Sequence, residues 1–380
     1  MYPDLAPYYH RWYHERPVII TDSRAQELRR LHGILLKCAK HFPSVWRDYL
    51  PLGEKEVDIL AEQARHPFKL GTWRPDYIIG TDGSLYLCEI TSRFFAHGIF
   101  MSWFSHVMLD RFPGMGLHDD FEAMMQKMLQ ILGGRKRIYV FKSTDKTGEI
   151  RLYKRFYEAH GISVIILETP EVEPAIEEWS SPDCFLVSAL NQNDILSFGP
   201  RTLQAMIDGG MYSDFRNIFL VHDKRFMKLW FDDSFTSGCL TPEETSFLRE
   251  HAIPTFEAPD VLEELLRHRK DWIIKPWRLG KSEGVHAGVL TSRSEWKEIL
   301  RHPEGFVAQP FLPQKRYPCK WEGKRYKDYM CGMLLCIDDD YFESGFMRCS
   351  SLPVTNIGDN RKAAVFYGGS GAQAKCFDLL

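Results

Sequence analysis

Two carboxylates on a predicted hairpin are the residues of this chain that point most directly to chemistry. Asp76 and Glu89, 89 − 76 = 13 positions apart, lie in two apolar runs on either side of an Asp82-Gly83 turn. Such a turn between apolar runs predicts a β-hairpin. If its arms pair, the two carboxylates lie side by side, and their repulsion favours a cation between them. Oxygen ligands of this kind suit Mg²⁺ held jointly with nucleotide phosphates.

Two neighbours of these acids are expected on the same face of the hairpin. Arg74 precedes Asp76 by two positions and Thr91 follows Glu89 by two, and residues two apart on a strand point the same way. The Arg74 guanidinium suits phosphate oxygens, and the Thr91 hydroxyl is a further oxygen for the metal. An edge hairpin with solvated acids explains the same residues taken alone, because acids on half-exposed strands are common.

A second group of residues suits the phosphates of a nucleotide. Lys275 ends an apolar run, and the segment from Gly280 through Lys281 to Gly284 follows it. A lysine at a strand end, followed by glycines that let backbone N–H groups approach phosphates, makes a nucleotide grip. The spacing is not that of a Walker A loop. A plain exposed position remains the alternative for Lys275 and for Lys224.

Size and composition exclude several classes of function. A chain of 380 residues is long enough for two or three packed units around one cleft. Its formal charge of -3 provides no basic excess for nucleic acid or a membrane surface. The nine cysteines are scattered without CxxC spacing, which favours reduced thiols in the cytoplasm. We find no signal-peptide pattern and no run of about 20 apolar residues, so we expect a cytoplasmic protein without a membrane partner.

The order of apolar patterns predicts mixed α and β structure. The first 65 residues and residues 96–133 have helical spacing. Strands alternating with helices then predict a small parallel α/β unit, without the GxGxxG of a dinucleotide site. The last third is mixed, with a helical stretch to about Glu250 and strand alternation near the end. The strands predicted for the α/β unit are residues 138–141, 163–167, 184–187 and 218–221, and a further short strand is predicted at 287–290.

Taken together, these segments resemble the ATP-grasp superfamily, and within it carboxylate-amine ligases such as the D-alanine ligases and glutathionylspermidine synthetase. The most specific match is the hairpin, where Arg74, Asp76, Glu89 and Thr91 stand at the family's spacing. The family has an asparagine at the position of Thr91. This replacement puts a second metal ion in doubt.

The resemblance extends to the nucleotide-binding segments. The family's first nucleotide lysine is similar to Lys224 in Asp223-Lys224-Arg225. The turn that follows it in the family is similar to residues 252–255. Lys275 and the 280–285 loop look like the second lysine and the glycine-rich lid. Residues 309–312 look like the adenine-binding linker, although Lys315 and Arg316 stand where an acidic residue for the ribose is expected.

The resemblance implies a role for each matched residue. Asp76, Glu89 and Thr91 would hold Mg²⁺, while Arg74 and Arg348 would act in catalysis. The residues implied for ATP binding are Lys224, Lys275, Lys281, Gly284, Gln309, Phe311 and Leu312. Asn356 and the Gly368-Gly369 segment are expected to complete the acceptor pocket.

The implied fold is a mixed α+β and α/β one: an ATP-grasp fold, circularly permuted, with a small Rossmann-like parallel α/β domain. Residues 1–135 would carry helices and the metal hairpin, 136–224 the Rossmann-like domain, and 225–380 the lid and the rest of the nucleotide core. The implied activity is an ATP- and Mg²⁺-dependent ligase joining a small-molecule acid to an amine, an amino acid or peptide among them, with a homodimer allowed. A nucleotide-binding relative without catalysis and a small-molecule kinase remain alternatives.

Overall fold

The computed structural model describes most of the chain. The described residues are residue 2 and residues 11–143, 148–278, 280, 283–355, 359 and 361–368, together with the backbone of residues 377–379. Asn356, Lys281 and Gly369, which carry expectations from the sequence, lie outside the described residues.

The strands are numbered here in chain order. They are β1 (Val18–Ile20), β2 (Thr72–Ile79), β3 (Leu85–Thr91), β4 (Leu117–His118), β5 (Arg137–Lys142), β6 (Ser163–Glu168), β7 (Cys184–Ala189), β8 (Phe256–Glu257), β9 (Trp272–Pro276), β10 (His286–Ala287), β11 (Phe306–Pro310), β12 (Arg316–Trp321), β13 (Lys324–Met333), β14 (Leu335–Ile337), β15 (Asp340–Phe342), β16 (Gly345–Ser350), β17 (Arg361–Gly368) and β18 (Phe377–Leu379).

The α-helices are numbered in the same way. They are α1 (Asp22–Val45), α2 (Glu54–Gln63), α3 (Trp103–His106), α4 (Phe121–Gln130), α5 (Glu149–Ala159), α6 (Thr169–Val172), α7 (Ile176–Trp179), α8 (Gln192–Ser197), α9 (Pro200–Asp208), α10 (Asp233–Ser237), α11 (Pro242–Glu250), α12 (Leu262–Arg267) and α13 (Arg293–Ile299). Short 3₁₀ helices occupy Trp46–Asp48, Phe100–Ser102, Leu109–Arg111, Lys224–Phe231, Ala258–Val261 and Arg269–Asp271.

The long helix α1 begins and packs as its sequence predicts. The Thr21 hydroxyl caps it by accepting the Arg24 N–H at 3.3 Å, which satisfies one of the free N–H groups of the first turn. Leu28, Leu31 and Leu35 recur at helical spacing and are fully buried in the largest apolar core. The helix therefore forms a buried support beneath the sheet that contains β2.

Eleven of the described strands form one large sheet that carries the predicted hairpin. Its main path is β15-β14-β2-β13-β16-β17-β1-β18, with β3 on β2, β12 on β13 and β4 on β17. The register pairs Cys331 of β13 with Ile78 of β2 and, on its other side, with Arg348 of β16. Residues from three distant parts of the chain thus meet on neighbouring strands.

Two smaller sheets are formed by the part of the chain between β4 and β12 of the large sheet. The antiparallel sheet β10-β9-β11-β8 contains Lys275 and Gln309, and its own apolar core includes Ile274, Trp296 and Ala308. The sheet β6-β5-β7 is entirely parallel and lies between helical segments. The mixed α/β class expected from the sequence is therefore correct, with several separate sheets.

The strand predicted at residues 218–221 is wrong. Asn217–Val221 forms a π-helical turn in which all five residues are buried, and the His222 N–H donates to the Asn217 carbonyl at 2.8 Å. A short apolar run of this kind fits a buried strand and a buried helical turn equally well. The described parallel sheet ends instead at β7, beside a single bridge from Val187 to Tyr212.

Other boundaries also shift. The stretch predicted as helical from about 224 to 250 is divided into a 3₁₀ helix, α10 and α11, and the strand predicted at 287–290 is only His286–Ala287, followed by a turn. The strands β12 and β17 were not predicted. The eight cysteines among the described residues are free thiols, as expected. No helix in the described ranges is long and apolar enough to cross a membrane.

Candidate functional site

The hairpin β2–β3 places the two predicted metal acids opposite each other. Asp76 pairs directly with Glu89 and Arg74 with Thr91, so the four residues share one face. The register then shifts by a bulge between Asp76 and Tyr77, which leaves Cys88 outside the regular pairing. Bulges of this type redirect side chains next to functional sites. The side-by-side carboxylates are the arrangement that the Asp-Gly turn predicts.

Asp76 is buried and held by two arginines. The Arg74 guanidinium donates to Asp76 Oδ1 at 2.7 Å and to Oδ2 at 3.1 Å, and its Nη1 donates to the His97 carbonyl at 3.1 Å. Arg348 of β16 donates to Asp76 Oδ2 from the other side. Although burial alone lowers the pKa of Arg348, the charge of Asp76 raises it above its ordinary value. Arg348 is therefore a fixed, charged donor that lines the cleft, and Arg74 holds Asp76 from the same strand.

Glu89 is held by lysines from two other elements. Its Oε1 lies 3.2 Å from Lys224 Nζ, and its side chain is 20% exposed. Burial would raise the pKa of Glu89, but the charges of Lys224 and Lys275 oppose this and lower it to about 2. The carboxylate is therefore ionised at any physiological pH. Asp76 and Glu89 thus differ: one is closed off by arginines, the other remains partly open to the cleft.

Lys275 connects the smaller antiparallel sheet to the hairpin. Its Nζ donates to the Cys88 carbonyl at 2.9 Å and to Gln309 Oε1 at 2.7 Å. The Gln309 amide in turn donates to the Thr255 hydroxyl at 2.8 Å. Lys275 and Val307 are register partners on β9 and β11, which places the lysine and the predicted adenine segment side by side.

These side chains line one cleft. It joins the acid pair to the adenine segment, and its lining includes Asp76, Glu89, Lys275, Gln309, Phe311, Leu312 and Arg348. Apolar residues complete the wall near the adenine segment: Ile253, Ile273 and Val285. The structure therefore brings together most of the predicted site residues, and Lys224 reaches the same place through Glu89.

The described residues after β9 lie beside the cleft, and Val285 lines it. Gly284 has a φ of +65°, and a Cβ added there would lie 2.7 Å from Pro276 Cγ, so the turn requires glycine. The Trp277 carbonyl accepts the Lys224 N–H at 3.0 Å, and the Arg225 guanidinium stacks 4.0 Å from the Trp277 ring centre. We call the described residues of this segment, 277, 278, 280 and 283–285, the lid loop.

The predicted acceptor residue Gly368 lies elsewhere. It pairs with Leu117 of β4, and a Cβ added to it would lie 2.7 Å from the Gly116 carbonyl oxygen. Its role there is close strand pairing, and it does not line the cleft. Thr91, in contrast, is buried on the hairpin face beside Arg74.

Several residues of the site were not found from the sequence. Cys88 and Cys331 both line the cleft, and Cys331 Sγ lies 3.5 Å from Arg348 Nη2. His222 is fully buried beside Glu89 and Lys224. Its position two residues before Lys224, the predicted nucleotide lysine, was the available signal.

The oxygen ligands around Glu89, the partly exposed acid of the pair, suit a divalent cation. Glu89 offers a carboxylate that is ionised and partly exposed, and Thr91 adds a hydroxyl on the same face. Hard oxygen ligands of this type suit Mg²⁺. Both Asp76 oxygens already accept hydrogen bonds from arginines. Asp76 would therefore become a ligand of the cation only after Arg74 or Arg348 turned to another anion.

Comparison with known proteins gives a consistent picture. Residues 39–220 match the model of the AnkG N-terminal domain. The ATP-grasp enzyme ankG of Aspergillus thermomutatus is 21% identical over 364 aligned positions, covering 79% of this chain and 74% of that protein. The matched family region contains the hairpin and the parallel sheet, while the smaller antiparallel sheet lies beyond it.

Solved structures show a related fold. A glutathione synthetase-like effector (GSS30) from Globodera pallida, in its apo form, aligns with a TM-score of 0.57 at 10% identity, covering 93% of this chain and 90% of that one. A putative gamma-glutamylcysteine synthetase from Methylobacillus flagellatus KT aligns over 88% of each chain at 11% identity, with a TM-score of only 0.43. The match to a protein named as an ATP-grasp enzyme confirms the resemblance to the ATP-grasp superfamily, and the GSS30 alignment shows a similar fold.

Proposed function

We propose that this chain is an ATP-dependent ligase that joins a carboxylic acid to an amine through an acyl phosphate. The observation that supports this most directly is the convergence in one cleft of an acid pair, two lysines and an arginine from separate elements. Asp76 and Glu89 come from the hairpin, Lys275 from β9, and Arg348 from β16, while Lys224 joins through Glu89. Phosphoryl transfer needs this combination of positioning and charge neutralisation.

We assign the adenine to the end of the cleft formed by residues 309–312. The Phe311 N–H donates to the Asp271 carbonyl at 2.7 Å, so the base would meet the ring of Phe311 and the main chain of Leu312 instead. Ile253 and Ile273 offer apolar surface for its faces. The triphosphate would then extend past Lys275 toward Lys224 and the lid loop with Gly284, and Lys281 stays a residue that the sequence predicts for ATP binding.

The charges of the described cleft suit a nucleotide with one divalent ion. Arg74, Lys224, Lys275 and Arg348 supply four positive charges and the two acids supply two negative ones, so 4 − 2 leaves +2. The Mg²⁺ complex of ATP carries roughly two negative charges, which balances this excess. Glu89 and Thr91 would hold the ion, with Asp76 as a further ligand, and the ion would neutralise charge on the phosphate oxygens. A single ion agrees with the threonine at position 91.

The chemistry follows from where the donors lie. A carboxylate oxygen of the acid attacks the γ-phosphorus, and the bond to the bridging oxygen breaks so that ADP leaves with the electron pair. Arg74 and Arg348 would stabilise the charge on the transferred group. The amine then attacks the acyl carbon, phosphate leaves, and the nitrogen loses a proton to give the amide.

We also propose that the chain is a circular permutation of the usual ATP-grasp order. The hairpin with the predicted metal ligands, at residues 72–91, precedes the parallel sheet, at 137–189. The smaller antiparallel sheet β10-β9-β11-β8 follows both. The parallel unit would be the Rossmann-like domain, with limits near 136 and 224. An amino acid or small peptide is the substrate class that this arrangement is expected to serve.

The test is ADP release from ATP and Mg²⁺ in the presence of paired libraries of amino acids and amines. Release that needs both an acid and an amine, with one new amide found by mass spectrometry, supports the ligase. Release that needs only a hydroxyl compound would indicate a kinase, and nucleotide binding without release would indicate a non-catalytic relative. Glu27→Gln is a matched control for Glu89→Gln, because Glu27 is also a partly buried acid paired with cations (26% exposed), outside the cleft.

A further inference from the structure

A second cavity lies apart from the cleft, beside the β7 edge of the parallel sheet. Its volume is about 530 Å³, within the range of roughly 300–1,000 Å³ that is usual for small-molecule sites. Its walls come from the end of α4, the start of β7, the segment before β2 and the turn between β14 and β15. All of its lining residues are described, and none of them lines the cleft.

Part of the wall of this cavity is apolar. The ring of Phe185 on β7 packs against the ring of Tyr212, with 5.5 Å between their centres, so this part of the wall is firmly packed. Such a surface suits the hydrocarbon part of a ligand. The apolar wall consists of Phe68, Leu70, Ile131, Phe185 and Leu186.

Two cations of the cavity are held in place without an acid beside them. Arg135 donates from Nε to the Pro182 carbonyl and from Nη1 to the Leu132 carbonyl, each at 3.3 Å. Lys69 Nζ donates to the Gly210 carbonyl at 3.0 Å. Neither cation lies within ion-pair distance of a carboxylate in the described part of the chain. Both can therefore bind a carboxylate of a ligand.

The three acids of the cavity differ in their partners. Asp339 pairs with Lys40 at 2.5 Å, and Asp340 pairs with Lys127 at 2.7 Å. Asp338 has no lysine, arginine or histidine within ion-pair distance among the described residues. One carboxylate and two cations of the wall are thus left for a ligand.

Asp338 is fixed in a backbone conformation that few residues adopt. Its φ is +52°, its N–H donates to the Gly71 carbonyl at 2.7 Å, and its carbonyl accepts the Trp73 indole N–H at 3.0 Å. Backbone strain of this kind is concentrated at functional sites. Burial raises the pKa of Asp338, although Lys127 and the Tyr212 hydroxyl oppose this. A cation supplied by a ligand would stabilise this carboxylate further.

The acid and the arginine lie toward different ends of β7. Arg135 contacts Pro182, just before the strand, whereas Tyr212, which interacts with Asp338, forms a bridge to Val187. Positions 184 and 187 of a strand are about 10 Å apart at 3.3 Å per residue. The termini of an extended peptide of two or three residues are separated by about 7–10 Å. In a single amino acid both charges lie on one carbon.

We propose that this cavity binds a peptide of two or three residues with free termini. Its ammonium group lies on Asp338, its carboxylate on Arg135 and Lys69, and its side chains against the apolar wall. The inference does not rest on the proposed ligase function. Because the cavity and the cleft share no lining residue, the peptide binds together with a nucleotide and does not compete with it.

Three forms of one peptide test the two charges on the full chain by calorimetry. The probes are the tripeptide Ala-Ala-Phe, its N-acetyl form, which lacks the ammonium group, and its C-terminal amide, which lacks the carboxylate. Each blocked form should bind about 10-fold more weakly or worse, because a hydrogen bond between charged groups is lost. Saturation with ADP and Mg²⁺ should leave the affinity for the free tripeptide unchanged.

Two variants then assign each charge to a residue. Asp338→Asn should weaken binding of the free tripeptide about 10-fold or more and leave the affinity for the N-acetyl form unchanged. Asparagine tolerates a positive φ, so this variant is expected to fold. Arg135→Gln should likewise weaken binding of the free tripeptide but leave the affinity for the amide unchanged. Asp208→Asn and Arg201→Gln are matched controls, because both residues lie on α9 outside the cavity.

Any of three results overturns the site: no saturable binding of the free tripeptide, equal affinity for its three forms, or unchanged affinity in both variants. Competition by ADP would place the peptide in the cleft and would overturn the site as well. If a variant does not fold, the three peptide forms on the wild type still decide. The ligase proposal is tested separately by ADP release, so it stands or fails independently.

Discussion

Replacing Glu89 by glutamine tests the electrostatics of the cleft without changing its shape. In the folded protein the pKa of Glu89 falls from its ordinary 4.5 to about 2, because Lys224 and Lys275 outweigh the effect of burial. The carboxylate is therefore favoured in the folded state. Its contribution is complete above pH 4.5 and is lost as the pH falls through about 2. The difference corresponds to about 3 kcal/mol of unfolding free energy at pH 7.

Two measurements check this reasoning. Urea unfolding should show Glu89→Gln less stable than wild type by about 3 kcal/mol at pH 7, and the gap should narrow to about 1 kcal/mol at pH 3. Calorimetry should show that, in EDTA, ADP binds the variant at least as tightly as wild type, because a negative charge has left a cleft rich in cations. Mg²⁺ should no longer improve that binding. A variant as stable as wild type at pH 7 would refute the placement of Glu89 between the lysines.

Three further predictions concern the other parts of the cleft. Lys275→Met should raise the apparent KM for ATP about 10- to 100-fold with a smaller change in kcat, because a charge-assisted contact is lost; steady-state ADP release measures both. Arg348→Lys keeps the charge but loses the planar fork, so kcat should fall about 100-fold while ATP binding by calorimetry stays within a few-fold. Gly284→Ala should destabilise the protein by about 1 kcal/mol or more and raise KM for ATP. Alanine is strained at a φ of +65°, and its Cβ would contact Pro276. Gly305→Ala is the control for backbone strain alone, because Gly305 has a φ of +95° with open space around it.

The parts of the site encoded locally could be predicted from the sequence. The Asp-Gly turn fixes the register that pairs Asp76 with Glu89, and strand alternation then places Arg74 and Thr91 on the same face. Lys275 was found because it ends a short apolar run that forms β9. The four hairpin residues lie within about 20 positions of one another, and Lys275 follows from its own strand alone, so turn chemistry and period suffice.

The parts that depend on distant strands could not be predicted. Arg348 reaches Asp76 only because β13 lies between β2 and β16 in the large sheet, and strand order is not encoded in local periodicity. The same applies to His97, which lies near enough to His222, 222 − 97 = 125 positions away, for the charge of one to affect the other. The π-helical turn that carries His222 into the site was mistaken for a strand because its apolar run is too short to show a period.

The N-terminal helix α2 contacts the lid loop, which its sequence alone does not predict. Glu56 of α2 is 3% exposed, accepts the Gly53 N–H at 2.8 Å, and pairs with Arg278 of the lid loop at 2.9 Å. Losing Arg278 would leave that buried carboxylate without its cation, which is costly. Since the Trp277 carbonyl also accepts the Lys224 N–H at 3.0 Å, α2 and the Lys224 backbone hold adjacent residues at the start of this loop.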